Sequence, residues 1–116
     1  YGAMVTRCLE AAEVLSAEDI EVSVLDLRSL VPLDVEAIGE AVRATGRAVV
    51  VHEAPLTLGM GAEIVARIVE EAFDQLEAPV ARVTGPDVPY PPASLEHRYL
   101  PSVERISTVV RKVVSY

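Results

Sequence analysis

The sequence predicts an α/β fold, a three-layer α/β/α sandwich on a mainly parallel sheet. Segments of helical and strand periodicity alternate in the order α-β-α-β-α-β-loop-α, the pattern of helices covering a parallel sheet. The run Ala48-Val49-Val50-Val51 is continuously apolar, which suits a strand buried on both faces. Capping residues fall at the joints, with Asp34, Gly46 and Ser102 the clearest.

Taken in order, residues 3–16 read as a helix, because Val5, Cys8 or Leu9, Ala12 and Leu15 recur at helical spacing opposite Arg7, Glu10 and Glu13. Residues 21–27 (EVSVLDL) alternate in polarity and are rich in β-branched side chains, so a strand is expected there. After a turn through Pro32, Asp34 is a good N-cap for a helix running to Thr45, and Gly46 ends it as a C′ residue would. Residues 47–52 (RAVVVH) form the most apolar strand. A loop through Pro55 leads to Gly59-Met60-Gly61 and a helix ending near Leu76, with Val65, Ile68, Val69, Ala72 and Leu76 as its buried stripe. On its wet side Glu63/Arg67 and Arg67/Glu71 stand at i,i+4. Residues 79–84 (PVARVT) are a third strand, and 85–101 a Pro-rich, turn-rich excursion. Ser102 then caps a last helix with Val103, Ile106, Val110, Val113 and Val114 on one face.

A chain of 116 residues is one domain, and half its residues are hydrophobic, a composition that packs. No apolar stretch exceeds residues 48–51, so neither a membrane span nor a secretory signal is expected. A formal charge of −8 argues against nucleic acid as a partner, since phosphate binding needs a positive surface. Cys8 stands alone, which removes a disulfide framework and a cysteine metal site and makes the cytoplasm the default location. The chain opens on Tyr1-Gly2 and runs straight into a helix, and three strands make a narrow sheet for four helices to cover. The expectation is a fragment of a longer polypeptide, begun just after a strand.

Each motif has a chemical and a plain structural reading. Gly59-Met60-Gly61 before a helix invites an anion or nucleotide cradle, because helix N-termini offer free N–H groups. The dinucleotide fingerprint needs a third glycine where Ile64 stands, and no Lys-Ser/Thr follows, so close packing is the simpler account. His52-Glu53 ends a strand, where α/β proteins place their sites, and a His beside a carboxylate can act as a general base. No nucleophile accompanies it, so a structural or interface role is the other reading. His97 sits between Glu96 and Arg98 and reads as solvated. Asp26 and Asp34 lack a third metal ligand, the only lysine, Lys112, is misplaced for a receiver domain, and no Gly-x-Ser-x-Gly elbow occurs. No catalytic, cofactor-binding or metal residue is therefore assigned. Glu70, Glu71, Asp74 and Glu77 cluster at the negative end of a helix dipole. They are either a solvated face or a surface relieved by a cationic partner.

The whole string resembles the beta subunits of thiamine-dependent 2-oxo acid dehydrogenases. Tyr1-Gly2-Ala3-Met4-Val5, Val24-Leu25-Asp26-Leu27-Arg28-Ser29-Leu30 and Pro32-Leu33-Asp34 carry the likeness. So do Gly46-Arg47, Val51-His52-Glu53-Ala54-Pro55, Gly59 with Gly61-Ala62-Glu63-Ile64, Val83-Thr84-Gly85-Pro86-Asp87 and Tyr99-Leu100-Pro101. The likeness covers essentially the whole chain and is to the C-terminal, transketolase C-terminal domain-like part of a pyruvate or branched-chain enzyme.

This resemblance implies a sandwich on a five-stranded mixed sheet with one antiparallel edge, here lacking its first strands, one of which lies inside the sheet. It implies thiamine diphosphate and magnesium for the parent enzyme, bound outside this segment, so that the segment itself is non-catalytic. It also implies assembly with an alpha subunit and a second beta subunit, and docking of the basic subunit-binding module of a dihydrolipoyl acyltransferase. The matching docking positions are Glu77 and Tyr116; His52 and Glu53 are candidates for a subunit interface. The equivalent domain of transketolase or deoxyxylulose-phosphate synthase stands as an alternative, beside a small anion-binding domain.

Overall fold

A computed structural model describes residues 1–116. Five α-helices and two strands follow in the order α1 (Met4–Ser16), α2 (Val35–Thr45), β1 (Val49–Pro55), α3 (Met60–Ala72), β2 (Ala81–Gly85), α4 (Glu96–Tyr99) and α5 (Val103–Val114). β1 and β2 pair in parallel, with Val49 opposite Ala81 and Val51 opposite Val83, and the register breaks before Pro55 meets Gly85. Period-two alternation sends Val50 to one face of the sheet and Val49 and Val51 to the other. Val50 packs with Ile38 and Val42 of α2 and with Ile64, Ile68 and Ala72 of α3. Val49 and Val51 lie against a second cluster of Ala11 and Leu15 from α1, Val83 from β2, and Ile106 and Val110 from α5. Helices thus cover both faces, as the alternation of elements requires.

The expected caps form. Asp34 accepts a hydrogen bond from the Ala37 N–H at 3.0 Å, and Ser102 Oγ accepts one from the Arg105 N–H at 3.2 Å. Gly46 ends α2 in the left-handed region at φ 67°, where its N–H returns to the Val42 carbonyl. That position carries a tertiary contact too: the Glu77 N–H donates to the Gly46 carbonyl at 2.8 Å, tying the end of α2 to the start of the chain toward β2.

Four expectations need correcting. Residues 21–27 form no strand: the segment is irregular by backbone hydrogen bonding and joins no ladder. It stands off from β1 across an apolar cleft of about 440 Å³, lined by Val22 and Val24 on this segment, Val49 and Val51 on β1, and Leu15 and Ile38 from the helices. Alternating side chains were present, but a strand exists only where backbone groups find a partner. The sheet accordingly has two strands, with an isolated antiparallel bridge between Leu30 and Leu33 outside it. Second, α1 buries Met4 and Ala11 beside the expected Leu15, and of the alternatives Cys8 and Leu9 it is Cys8 that packs against this core while Leu9 faces outward.

Third, α3 stops at Ala72 and continues as a 3₁₀ turn, Phe73–Gln75, rather than reaching Leu76 as α-helix. Its buried row is Gly61, Ile64, Ile68 and Ala72. Val65 and Val69 belong to the neighbouring row, because one helix can turn only one row squarely to the sheet: Val65 is half-buried against the margin of the core and Val69 is exposed. Arg67 meets Glu63 at 2.9 Å as expected but takes Glu70, not Glu71, as its second partner at 3.1 Å. Fourth, the Pro-rich excursion contains a 3₁₀ turn, Ala93–Leu95, and the short α4, whose Tyr99 is buried. Tyr99 seats on Gly85: a Cβ there would lie 2.6 Å from its ring and 2.5 Å from the Glu53 carbonyl oxygen.

Candidate functional site

Parity along β1 decides where His52 goes. It shares the Val50 face, and at that end of the strand the neighbour on this face is the first turn of α3. The imidazole is fully buried, at 0% exposure. Its Nε2 accepts a hydrogen bond from the Gly61 N–H at 3.1 Å, and Tyr1 stacks on its plane with centroids 6.2 Å apart and rings 9° from parallel. Burial, then the Arg82 guanidinium, pushes the ring's pKa down. Glu53 points the other way, toward Gly2.

The same contact decides between the two readings of Gly59-Met60-Gly61, in favour of close packing. A Cβ on Gly61 would overlap His52 Nε2 and lie 2.6 Å from Cδ2; one on Gly59 would overlap the Pro55 carbonyl and come within 2.9 Å of the imidazole Cε1. The glycines make room for a side chain of the protein itself. The N–H that an anion would need is given to His52, so no phosphate cradle opens at this helix start. Nor do three His, Cys, Asp or Glu side chains converge anywhere as metal ligands. A diphosphate with its magnesium therefore has no fit among these residues.

The acidic residues divide. Glu77 is held by Arg47 in an ion pair, and Glu70 by Arg67. Asp74 accepts from the Gln75 side-chain amide at 3.0 Å. Glu71 makes no side-chain ion pair among those formed; Arg43 reaches only its backbone carbonyl, at 3.4 Å. At roughly 100° per residue, Glu71 lies about 200° round the helix from Val69, on the side toward α2. The four carboxylates are thus not one patch.

Glu77 and Tyr116 do come together, in a shallow apolar groove with Val65, Val69, Phe73 and Leu76, beside Ala78-Pro79-Val80 at the entry to β2. Phe73 is 72% exposed and Tyr116 75%, so two aromatic rings stand in solvent over this groove. Sequence reasoning passed over Phe73. The available signal was the second apolar row, Val65-Val69-Phe73, running beside the row that faces the core. A further exposed apolar set lies at the other end of the sheet, where Leu58 is 99% exposed at φ 58°. His97 is exposed, and no helix is long and apolar enough to cross a membrane.

Comparison with known proteins gives the context for this surface. The sequence profile of the transketolase C-terminal domain matches residues 1–106. The chain is 48% identical over 115 residues to the 3-methyl-2-oxobutanoate dehydrogenase subunit beta of Mycobacterium tuberculosis, covering 98% of this chain and 33% of that protein. To the pyruvate dehydrogenase E1 component subunit beta of Leifsonia xyli it is 46% identical over 116 residues, 100% of this chain and 34% of the relative. The corresponding Bacillus subtilis subunit is 42% identical, again over the whole chain and 36% of the relative. Among solved structures, a split-gene transketolase described as an inactive beta4 tetramer matches with a TM-score of 0.77 and 31% identity, over 98% of this chain and 36% of that one. The chain thus spans about a third of the length of the curated relatives it matches.

Proposed function

Because the chain belongs to the transketolase C-terminal domain family, with beta subunits of 2-oxo acid dehydrogenases among its relatives, we propose that it is the assembly and docking domain of such a subunit. On this reading the parent enzyme decarboxylates a 2-oxo acid with thiamine diphosphate and magnesium, both held outside these residues. The domain joins an alpha subunit and a second beta subunit and receives the subunit-binding module of the dihydrolipoyl acyltransferase. The apolar cleft beside β1 supports a larger parent sheet, since it has the lining that an additional apolar strand would bury.

The observation that carries the docking role is the groove under Phe73 and Tyr116, with Glu77 in its wall. Apolar rings left in solvent gain by being covered, at about 25 cal/mol per Å² of apolar area. The overall charge of −8 favours a cationic partner over a second copy of the same surface. Glu70, Glu71 and Asp74 would steer such a partner from further out. Their charges act at range and are screened by salt. Of the two residues kept for a subunit interface, Glu53 is the one able to touch another chain, because His52 is enclosed.

Calorimetric titration of the full-length subunit with an acyltransferase subunit-binding module, at low and high salt, tests this reading. Binding that weakens with salt and is reduced by Glu77→Lys supports it; no binding at either salt concentration refutes it. The equivalent domain of transketolase is the second reading, favoured by the solved neighbour at 31% identity, against 48% for the dehydrogenase relative.

A further inference from the structure

We infer that His52 is a pH-sensitive latch on α3: as a neutral imidazole protonated on Nδ1 it caps the helix through Gly61, and on gaining a second proton it releases the helix start and the loop before it. The first turn of any α-helix carries N–H groups without intrahelical partners. At α3 the N-cap position is Gly59, which has no side chain to accept from them. His52, nine residues from Gly61 in sequence, supplies the missing acceptor from the sheet.

The chemistry of the ring makes this cap conditional. A nitrogen that accepts a hydrogen bond carries no proton, so the neutral ring holds its single proton on Nδ1. Imidazolium has two N–H donors and no acceptor. Protonation would set the Nε2 proton against the Gly61 N–H and bring a positive charge to the positive end of the helix dipole. Gly61 packs directly on the ring edge, where even a Cβ would overlap Nε2, so the site has no slack on that side.

The surroundings push in the same direction. The ring is enclosed, Arg82 on β2 and the N-terminal ammonium are the charges acting on it, and both are cationic. Tyr1 covers one face as a neutral ring, and the Glu53 carboxylate lies toward Gly2. The Ala54 backbone gives the one counter-pull, although Nδ1 has no hydrogen-bond partner of normal geometry.

What the latch holds is the exposed loop at this end of the sheet. Arg82 Nη1 donates to the Leu56 carbonyl at 2.9 Å, and Thr57 donates its N–H and hydroxyl to Asp87 at 2.9 and 2.6 Å. Those contacts fix the loop before Leu58; His52 fixes it after Gly59. Release of the second anchor would leave Leu58, in its left-handed conformation, without support on that side.

Histidine-labelled NMR on the full-length chain reads this directly. At about pH 7.5 the ring should be the Nδ1–H tautomer. As pH is lowered from about 7 through the His52 titration, Gly61 amide exchange, corrected for the intrinsic rate, should accelerate roughly five- to tenfold, the size of a lost cap, with Val50 unchanged. His52→Gln, which keeps an acceptor and does not titrate, should remove that step. An Nε2–H tautomer, constant Gly61 protection through the His52 titration, or the same step surviving in His52→Gln would each overturn the inference. The wild-type readings decide it even if the variant does not fold.

Discussion

Gly61 and His52 are fitted to each other: the space a Cβ would need on Gly61 is filled by the imidazole that accepts its N–H. The glycine pair, for which close packing is the simpler reading in sequence, is an accommodation for a buried side chain. Gly61→Ala should therefore lower unfolding free energy by about 2–3 kcal/mol through overpacking. Combined with His52→Ala, the two losses should be non-additive by roughly 1 kcal/mol or more. Denaturant unfolding of the single and double variants measures both; strict additivity would show that the two residues do not touch.

Acid should destabilise the protein in two windows. His52 has its folded pKa below its unfolded value, so its contribution is complete above about pH 6.5 and is lost as pH falls below that toward the folded value. Glu18, lowered by its two hydrogen bonds from Arg111, and Asp87, lowered by those from Thr57, act later. Their stability is present above about pH 4 and is lost as the carboxylates protonate. Unfolding measured across the pH range should show the upper window alone disappear in His52→Gln.

Ser102→Ala should cost about 1 kcal/mol, a fall in Tm of roughly 4 °C, by removing the acceptor for the Arg105 N–H at the start of α5. Ser102→Asp should retain the cap. Thermal unfolding of the pair separates loss of the hydrogen bond from loss of the side chain.

Phe73→Ser should leave stability within about 0.5 kcal/mol, since the ring is already mostly in solvent. Affinity for the subunit-binding module should fall at least about tenfold if Phe73 anchors the partner. Glu77→Lys should differ in kind, because Glu77 also pairs with Arg47 and its backbone bonds to Gly46. Comparing module affinity and Tm for both variants distinguishes an anchor from a residue that shapes the groove.

Local rules made much of the chain legible. Asp34, Gly46 and Ser102 mark helix ends because capping is a short-range exchange between one side chain or backbone and the adjacent turn. The alternation of periods similarly determines that helices cover a parallel sheet, and the strung-together motifs determine the family. The sequence could not say which of two apolar rows on α3 faces the core, because Ile64-Ile68-Ala72 and Val65-Val69-Phe73 have the same spacing. Only packing against β1 and α2 selects the first and leaves Phe73 in solvent. Residues 21–27 have a strand's pattern, yet pairing needs a partner that lies elsewhere in the chain. Most of all, His52 and Gly61 meet only when β1 and α3 fold back on one another, so tertiary structure alone decided that histidine is what the closely packed glycines seat.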